Sequence, residues 1–237
     1  MKCCHVPLLA VLLCSVARSA DATKKMDYPE DRFSIEIPAD WKEIPKKVLD
    51  DYLKNLVLVM PQAAGQTYAH GFQLASQQEW MVHPYIVIQF NNKSGRIPES
   101  ELAKVKNLNE EMDKSIDQVQ KNMSALISQA KVGEPMYDAE ARILWVNISM
   151  TVQGVGVVKG MSGMHLTEEG LLCVHCYALD KQMPVYAPKF EAIIKSVVMD
   201  PTLKYAPRVG ESTPPWLIGA VIGGIVGGIF ALKKKLA

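Results

Sequence analysis

The feature that most constrains this chain is an uncharged apolar stretch near its C-terminus, WLIGAVIGGIVGGIFAL, from Trp216 to Leu232. Three lysines follow it directly. As a helix its 17 residues would be about 26 Å long, slightly short of the ~30 Å hydrocarbon core of a bilayer. Interfacial Trp216 and the snorkelling lysines can cover the difference. We therefore predict a transmembrane helix, because the five glycines of the stretch would weaken a helix buried in a soluble core.

A second apolar run, VPLLAVLLCSV, lies near the N-terminus at Val6 to Val16 and is followed by small residues. This layout is typical of a secretory signal peptide, and 11 residues are too few to span a bilayer. Ala20-Asp21-Ala22 fits the small-x-small cleavage rule, so we expect cleavage before Thr23. Cleavage after Ser19 or after Ala20 remains an alternative.

These two segments divide the chain into five parts. We expect a signal peptide at 1–22, an extracytoplasmic domain at 23–200, a polar linker at 201–215, a transmembrane helix at 216–232 and a cytoplasmic tail at 233–237. The lysines of the tail agree with the positive-inside rule. A bacterial inner membrane with a periplasmic domain is the first choice of compartment. The endoplasmic reticulum is the second, because the final KKLA also resembles a dilysine retrieval signal.

Composition limits the function of the central domain. Its roughly 180 residues are enough for one domain with a substantial core. The formal net charge of +1 and the 22% of charged residues do not favour nucleic-acid binding, which usually needs a strongly basic face. Only two of the five cysteines lie outside the signal peptide, so the chain is not a disulfide-rich scaffold.

Hydrophobic periodicity predicts an α+β fold. Alternating Phe33, Ile35 and Ile37 indicate a half-buried strand, and apolar residues at helical spacing follow Pro45 as far as Pro61. Further strands are predicted at 68–75, 85–90, 142–150, 152–166 and 171–179, and a last helix at 184–198. The turn Thr167 to Gly170 joins two of these strands as a hairpin.

The longest predicted helix runs from Pro98 to Lys131. Its apolar residues recur at a spacing of three and four: Leu102, Val105, Met112, Ile116, Val119, Met123, Leu126 and Ala130. With Asn109 included the pattern is heptad-like, which leaves a coiled coil as an alternative. We favour a stripe that packs on the sheet of the same domain, because four heptads barely reach the length typical of a coiled coil.

The order of these elements resembles that of the PsbP-like fold family. The resemblance depends on FSIEIPADW at 33–41, the central strands, and KFEAIIKSVV at 189–198, and it extends from Tyr28 to about Asp200. It implies one α+β domain with helices packed on an antiparallel sheet. It also implies a binding or scaffolding role without catalysis. No functional residue is transferred from the family, because no functional motif of the family matches this sequence.

Soft sulfur and imidazole side chains cluster around the predicted hairpin. Met161, Met164 and His165 precede its turn, and Cys173 and His175 follow it. Copper(I) prefers this ligand chemistry. An envelope metal- or thiol-handling protein that uses the Met161–Cys176 hairpin is therefore the alternative function. A register slip of one residue would exchange the two faces of a strand, so we assign no metal ligand and expect no cofactor.

Cys173 and Cys176 form the only CxxC motif in the chain. Residues three apart on a strand face opposite sides, so we expect two buried structural cysteines and no redox pair. The glycines from Gly154 to Gly160 are followed by a strand pattern, whereas a phosphate-binding loop would lead into a helix. No hydrolase motif is present, so we predict no catalytic residue and no enzymatic activity.

Gly219, Gly223 and Gly227 repeat every fourth residue in the predicted transmembrane helix. This spacing places small residues on one helix face and lets a second helix approach closely. Self-association through this face is one interpretation, and the alternative is that glycine is simply common in membrane helices. The leading hypothesis from the sequence is therefore a single-pass membrane protein with an extracytoplasmic binding or scaffolding domain, whose ligand and protein partner are unknown.

Overall fold

The computed structural model describes residues 22–59, 66–92, 95–99, 112–114, 116–117, 120–121 and 123–208. The transmembrane helix expected at 216–232, its glycines Gly219, Gly223 and Gly227, and the tail at 233–237 lie outside the described residues. So does the expected signal peptide, except for Ala22. Within the described ranges, no helix is both long enough and apolar enough to cross a bilayer.

The structure confirms an α+β domain with antiparallel sheets. Its elements follow along the chain as β1 (Thr23–Tyr28), β2 (Phe33–Pro38), β3 (Trp41–Glu43), α1 (Lys46–Val59), β4 (Tyr68–Leu74), β5 (Tyr85–Asn91), β6 (Ile127–Val132), β7 (Met136–Asp138), β8 (Ile143–Val152), β9 (Gly156–Thr167), β10 (Gly170–Leu179), a 3₁₀ turn (Asp180–Gln182), α2 (Met183–Lys195) and β11 (Val198–Met199). The central sheet has eight strands in the order β3-β4-β5-β10-β9-β8-β6, with β7 beside β8. A smaller sheet has the order β1-β2-β11.

A hydrophobic core covers each face of the central sheet. The first face packs against α1 through residues such as Leu49 and Leu56. The second face packs against α2 and the small sheet, whose Phe190 and Ile35 are buried there. Alternation along β10 places Cys173 on the first face. The domain is therefore layered, with its sheet covered on both sides.

Most of the strands and both named helices agree with the sequence patterns. The hairpin is confirmed, because β10 pairs along its whole length with residues 158–167 of β9 around the turn at Glu168 and Glu169. The helix predicted after Pro45 is α1, and the helix predicted at 184–198 is α2. The strand predicted at 152–166 is shorter, because 153–155 form a turn that separates β8 from β9.

The helix predicted from Pro98 to Lys131 is wrong in its last part. Residues 127–132 form β6, which pairs with β8 at the edge of the sheet and gains backbone hydrogen bonds there. Met112, Ile116 and Met123 are buried in the first core, as expected of a stripe packed on the sheet of its own domain. Residues 100–111, which include Leu102, Val105 and Asn109, lie outside the described residues, as does Val119.

The two ends of the central sheet carry different features. We call the end that holds the β9–β10 turn the turn end. The opposite end, which holds the β4–β5 loop at 75–84, is the loop end. Pairing of Tyr85 with Tyr177 and of Asn91 with Leu171 fixes this arrangement, because the loop before Tyr85 must lie at the far end of β10 from its turn.

Residues 200–208, which we call the strap, pack across the turn end. Leu203 and Tyr205 are buried, and the amide of Glu168 donates to the carbonyl of Leu203 at 2.9 Å. Lys204 forms an isolated β-bridge with Thr167. The linker expected from residue 201 is thus part of the folded domain at least as far as Arg208, because it buries apolar side chains and pairs its backbone. Residues 209–215 lie outside the described residues.

Candidate functional site

The β9–β10 hairpin separates the sulfur and imidazole side chains that the sequence groups together. Its register pairs Met164 with Cys173 and Met161 with Cys176. The two pairs are three residues apart along each strand, so they face opposite sides of the sheet. Met164, Cys173 and His175 lie on the first face, and Met161, His165 and Cys176 lie on the second.

Both cysteines are free and buried. Cys173 belongs to the first core and Cys176 to the second, which confirms the expectation that they face opposite sides. Burial raises the pKa of Cys173 to about 12 and also raises the pKa of Cys176. A thiol with such a pKa is protonated at neutral pH and is a poor nucleophile. This geometry does not support dithiol redox chemistry at the CxxC.

His175 lies near the middle of the first face and is fully buried. Its Nδ1 is 2.8 Å from the Oγ of Ser162, the residue opposite it on β9. Its Nε2 is also buried and has no hydrogen-bond partner. Burial lowers the pKa of His175 to about 3, so the ring is neutral at physiological pH. When Nδ1 donates to the hydroxyl, Nε2 presents a free lone pair to the core.

Within the residues that the structure describes, no group of three or more His, Cys, Asp or Glu side chains is arranged to hold a metal ion. That finding concerns these four residue types and does not extend to methionine.

The β4–β5 loop at the loop end carries an exposed aromatic side chain. Trp80 is 38% exposed, and across the described part of the chain it is the only exposed aromatic residue. The Nζ of Lys42 lies 4.6 Å from the centre of its ring, which is a cation–π contact. Tryptophan is enriched among the residues that dominate protein–protein binding energy. The loop is therefore a candidate binding surface.

A buried glutamine holds this loop in place. Gln73 is fully buried, and its Nε2 donates to the carbonyl of Glu79 at 2.7 Å. Its Oε1 accepts from the amide of Met81 at 2.8 Å. These bonds fix the backbone on both sides of Trp80. Met81 is itself buried and has a φ of 61°, a conformation that residues other than glycine adopt rarely.

Two further contacts close the loop. The Nε2 of Gln77 donates to the carbonyl of His83 at 3.0 Å, and the Nζ of Lys42 donates to the carbonyl of Gln77 at 2.5 Å. His83 is buried, and burial lowers its pKa to about 4. The Nζ of Lys42 therefore contacts the loop twice, at the backbone carbonyl of Gln77 and at the ring of Trp80.

His70 is a third feature of interest, because two carboxylates and a tyrosine ring surround it. Its Nε2 lies 2.7 Å from Asp31 and its Nδ1 lies 3.2 Å from Glu43. Its ring stacks on Tyr28 at a centroid distance of 3.6 Å. Burial, together with Glu43, raises the pKa of the Tyr28 hydroxyl. These contacts join β1, β3 and β4, and they account for His70 as a structural residue.

Sequence reasoning missed Trp80 on the loop and Gln73 on β4, which holds the loop. The signal that could have found them is a lone tryptophan among polar residues, QQEWMVHP, between two predicted strands. The interpretation of the glycines from Gly154 to Gly160 is confirmed, because a turn and then strand β9 follow there. The sequence analysis names no catalytic residue and no metal ligand, so the structure has no such assignment to test.

No family model matches the sequence, and no curated protein matches it. Among solved structures, the chain is similar to the solution structure of cyanobacterial PsbP (CyanoP) from Synechocystis sp. PCC 6803. The two share 10% sequence identity with a TM-score of 0.48, and the match covers 77% of this chain and 95% of that chain.

Proposed function

We propose that this chain is a membrane-anchored binding module that presents its β4–β5 loop to a protein partner outside the cytoplasm. The observation that carries the proposal is Trp80, exposed on a loop that buried Gln73 fixes from within the sheet. A preordered aromatic side chain loses little conformational entropy on binding, and this favours affinity. The proposed role is binding or scaffolding, with no reaction catalysed by the domain.

The position of the strap supports an orientation for this module. The strap packs at the turn end, and the chain continues from there towards the apolar stretch at 216–232. Trp80 belongs to the loop end, separated from the turn by the ten residues of β10. Ten residues of strand span about 33 Å. With 216–232 in the bilayer, the turn end faces the membrane and Trp80 faces away from it.

The proposed location follows from the two apolar segments of the sequence. An export-type leader and a lysine-flanked apolar stretch support a single-pass protein with its domain outside the cytoplasm, in a bacterial periplasm by preference. The glycine spacing at Gly219, Gly223 and Gly227 supports self-association in the membrane. Gly223→Ile should weaken that association in a membrane two-hybrid assay, and an unchanged signal would remove it from the proposal.

Site-specific photo-crosslinking tests the binding surface. Trp80 is replaced by p-benzoylphenylalanine in the full chain, in its native membrane. The control carries the same residue at Met136, which is 61% exposed on β7. We expect ultraviolet light to give a covalent adduct of defined mass from position 80 and not from position 136. Excess wild-type protein should suppress the adduct, and the Trp80→Ala variant should not. Equal adducts from both positions, or none, would contradict the proposal.

Depth-dependent quenching tests the orientation. A fluorophore sensitive to its surroundings is attached at Arg208→Cys in one variant and at Trp80→Cys in another. The native cysteines Cys173 and Cys176 are buried and should not react in the folded protein. We expect nitroxide lipids to quench position 208 more strongly than position 80. The reverse order would show that the loop end faces the membrane.

A further inference from the structure

Three soft donor groups occupy neighbouring positions on the first face of the hairpin. Cys173 and Met164 are directly opposite each other on β10 and β9, and His175 is two residues from Cys173 on the same face. Directly opposite side chains have Cβ atoms about 5 Å apart, and neighbours two residues along a strand are about 7 Å apart. All three are at least 96% buried, with exposed fractions of 0% for Met164, 4% for Cys173 and 0% for His175.

The imidazole of His175 is oriented as metal-binding histidines usually are. Its Nδ1 is held by the hydroxyl of Ser162 at 2.8 Å, which fixes the ring and leaves Nε2 towards the core. Nε2 is buried without a hydrogen-bond partner. Metal-bound histidines almost always have their other ring nitrogen fixed in this way. A buried polar atom without a partner calls for an explanation, such as an ion or a water molecule.

We propose that Met164, Cys173 and His175 form a buried site for one copper(I) ion. Thioether, thiolate and imidazole are ligands that suit this ion. Binding breaks the S–H bond of Cys173, forms a copper–sulfur bond and releases one proton to solvent, without any change in oxidation state. The ion and the thiolate then carry no net charge together. A divalent ion would leave a net positive charge in the core, where an uncompensated charge is costly.

The second face of the same hairpin offers a matched control. Met161 and Cys176 are also directly opposite each other. His165 is on that face but pairs with Leu172, four residues from Cys176 along β10. Four residues of strand correspond to about 13 Å, which is too far for one ion to bind both side chains. The second face therefore repeats the sulfur pair without an imidazole within reach.

The test measures copper in the full chain, purified in detergent without oxygen from cells grown with added copper. We expect about one copper(I) ion per chain. Cys173→Ser and His175→Gln should lose it, and Ser162→Ala should weaken competition against a copper(I) chelator by about 10- to 100-fold. Met161→Leu and Cys176→Ser should retain the wild-type copper content. Trp80→Ala should also retain it, so failure of this site and failure of the binding loop are distinguishable.

X-ray absorption of the wild-type protein keeps the proposal testable if a variant does not fold. We expect a copper(I) edge and mixed coordination by sulfur and imidazole nitrogen. Three results would each overturn the proposal. The first is a wild-type copper content no higher than that of Cys173→Ser. The second is loss of copper in Cys176→Ser while Cys173→Ser keeps its copper. The third is a wild-type spectrum that shows no sulfur ligand. The first of these results would leave a water molecule as the partner of Nε2.

Discussion

The guanidinium of Arg96 lies 4.1 Å from the centre of the Tyr205 ring and at the same time donates to the carboxylate of Glu168. Tyr205 belongs to the strap, and Glu168 belongs to the β9–β10 turn. The hydroxyl of Tyr205 also accepts from the amide of Glu99 at 2.8 Å. One arginine thus connects the strap to the hairpin, which explains why these residues fold with the domain.

Replacing Arg96 should loosen the strap. Arg96→Met keeps an apolar stem but removes the cation–π contact and the charged hydrogen bonds, so we expect a local loss of about 1–2 kcal/mol. Hydrogen exchange at the amides of 203–206 should accelerate accordingly. Lys25→Met is the control, because Lys25 and Asp27 form a pair whose side chains are 61% and 59% exposed. Such pairs contribute little. Unchanged exchange in the strap would contradict this account.

Docking of the strap should depend on pH through Glu168. Burial of this carboxyl favours a higher pKa, but the amide of Ala206 and the charges of Arg96 and Arg208 outweigh burial and lower the pKa. The carboxylate therefore stabilises the docked state above the pKa of the unfolded chain, about 4.3. That stability is lost as the pH falls through the lower pKa of the folded state.

Hydrogen exchange of the strap at several pH values measures this dependence. After correction for intrinsic exchange rates, protection should be constant from neutral pH to about pH 5 and decrease at pH values below about 4.3. Glu168→Gln should show weaker protection already at neutral pH and no additional acid step. If Glu168→Gln lost as much protection at low pH as the wild type does, the pH dependence would belong to another titrating group.

A methyl group at Gly163 should destabilise the whole domain. A Cβ there would lie 2.2 Å from the Cγ2 of Ile194 on α2, so the helix would have to move. We expect Gly163→Ala to lower the free energy of unfolding by about 1–3 kcal/mol in urea denaturation. Gly133→Ala is the matched control, because the nearest atom would be 3.4 Å away. In an Ile194→Ala background the cost of Gly163→Ala should largely disappear, and a full cost there would rule out this contact as the cause.

Removing the side-chain amide of Gln73 should disorder the β4–β5 loop. Gln73→Leu has a similar volume but removes the hydrogen bonds to the amide of Met81 and to the carbonyl of Glu79, at a cost of about 1–3 kcal/mol. Amides at 77–82 should exchange faster, and crosslinking from position 80 should decrease. The strap serves as an internal control, since its exchange should not change. Protection of the loop at the wild-type level would show that Gln73 does not hold it.

The sequence predicted those strands and helices whose apolar residues recur with a clear period. YIVIQF at 85–90 and RILWVNISM at 142–150 are strands as expected, because branched residues alternate or run continuously there. Residues 127–132 were assigned to a helix because Leu126 and Ala130 also fit its spacing. Their pairing with β8 depends on a partner far along the chain, which a local pattern does not report.

The candidate sites depended on information that the sequence does not contain. The register of β9 and β10 decides that His175 lies beside the Met164–Cys173 pair and not beside Met161. Likewise, the contacts of Gln73 with the loop arise from the conformation of a segment without periodicity. The opposite orientation of the two cysteines could be predicted, because it needs only the alternation of one strand.

Under the proposed membrane anchor at 216–232, the docked strap limits the distance between this domain and the bilayer. Arg208 is the last described residue, and seven residues separate it from Trp216. Fully extended, those seven residues reach at most about 25 Å. The height of the Trp80 loop above the lipid surface is then limited to about 60 Å. The proposed anchor thus restricts the proposed partner of this loop to a neighbour in the same membrane or a protein close to its surface.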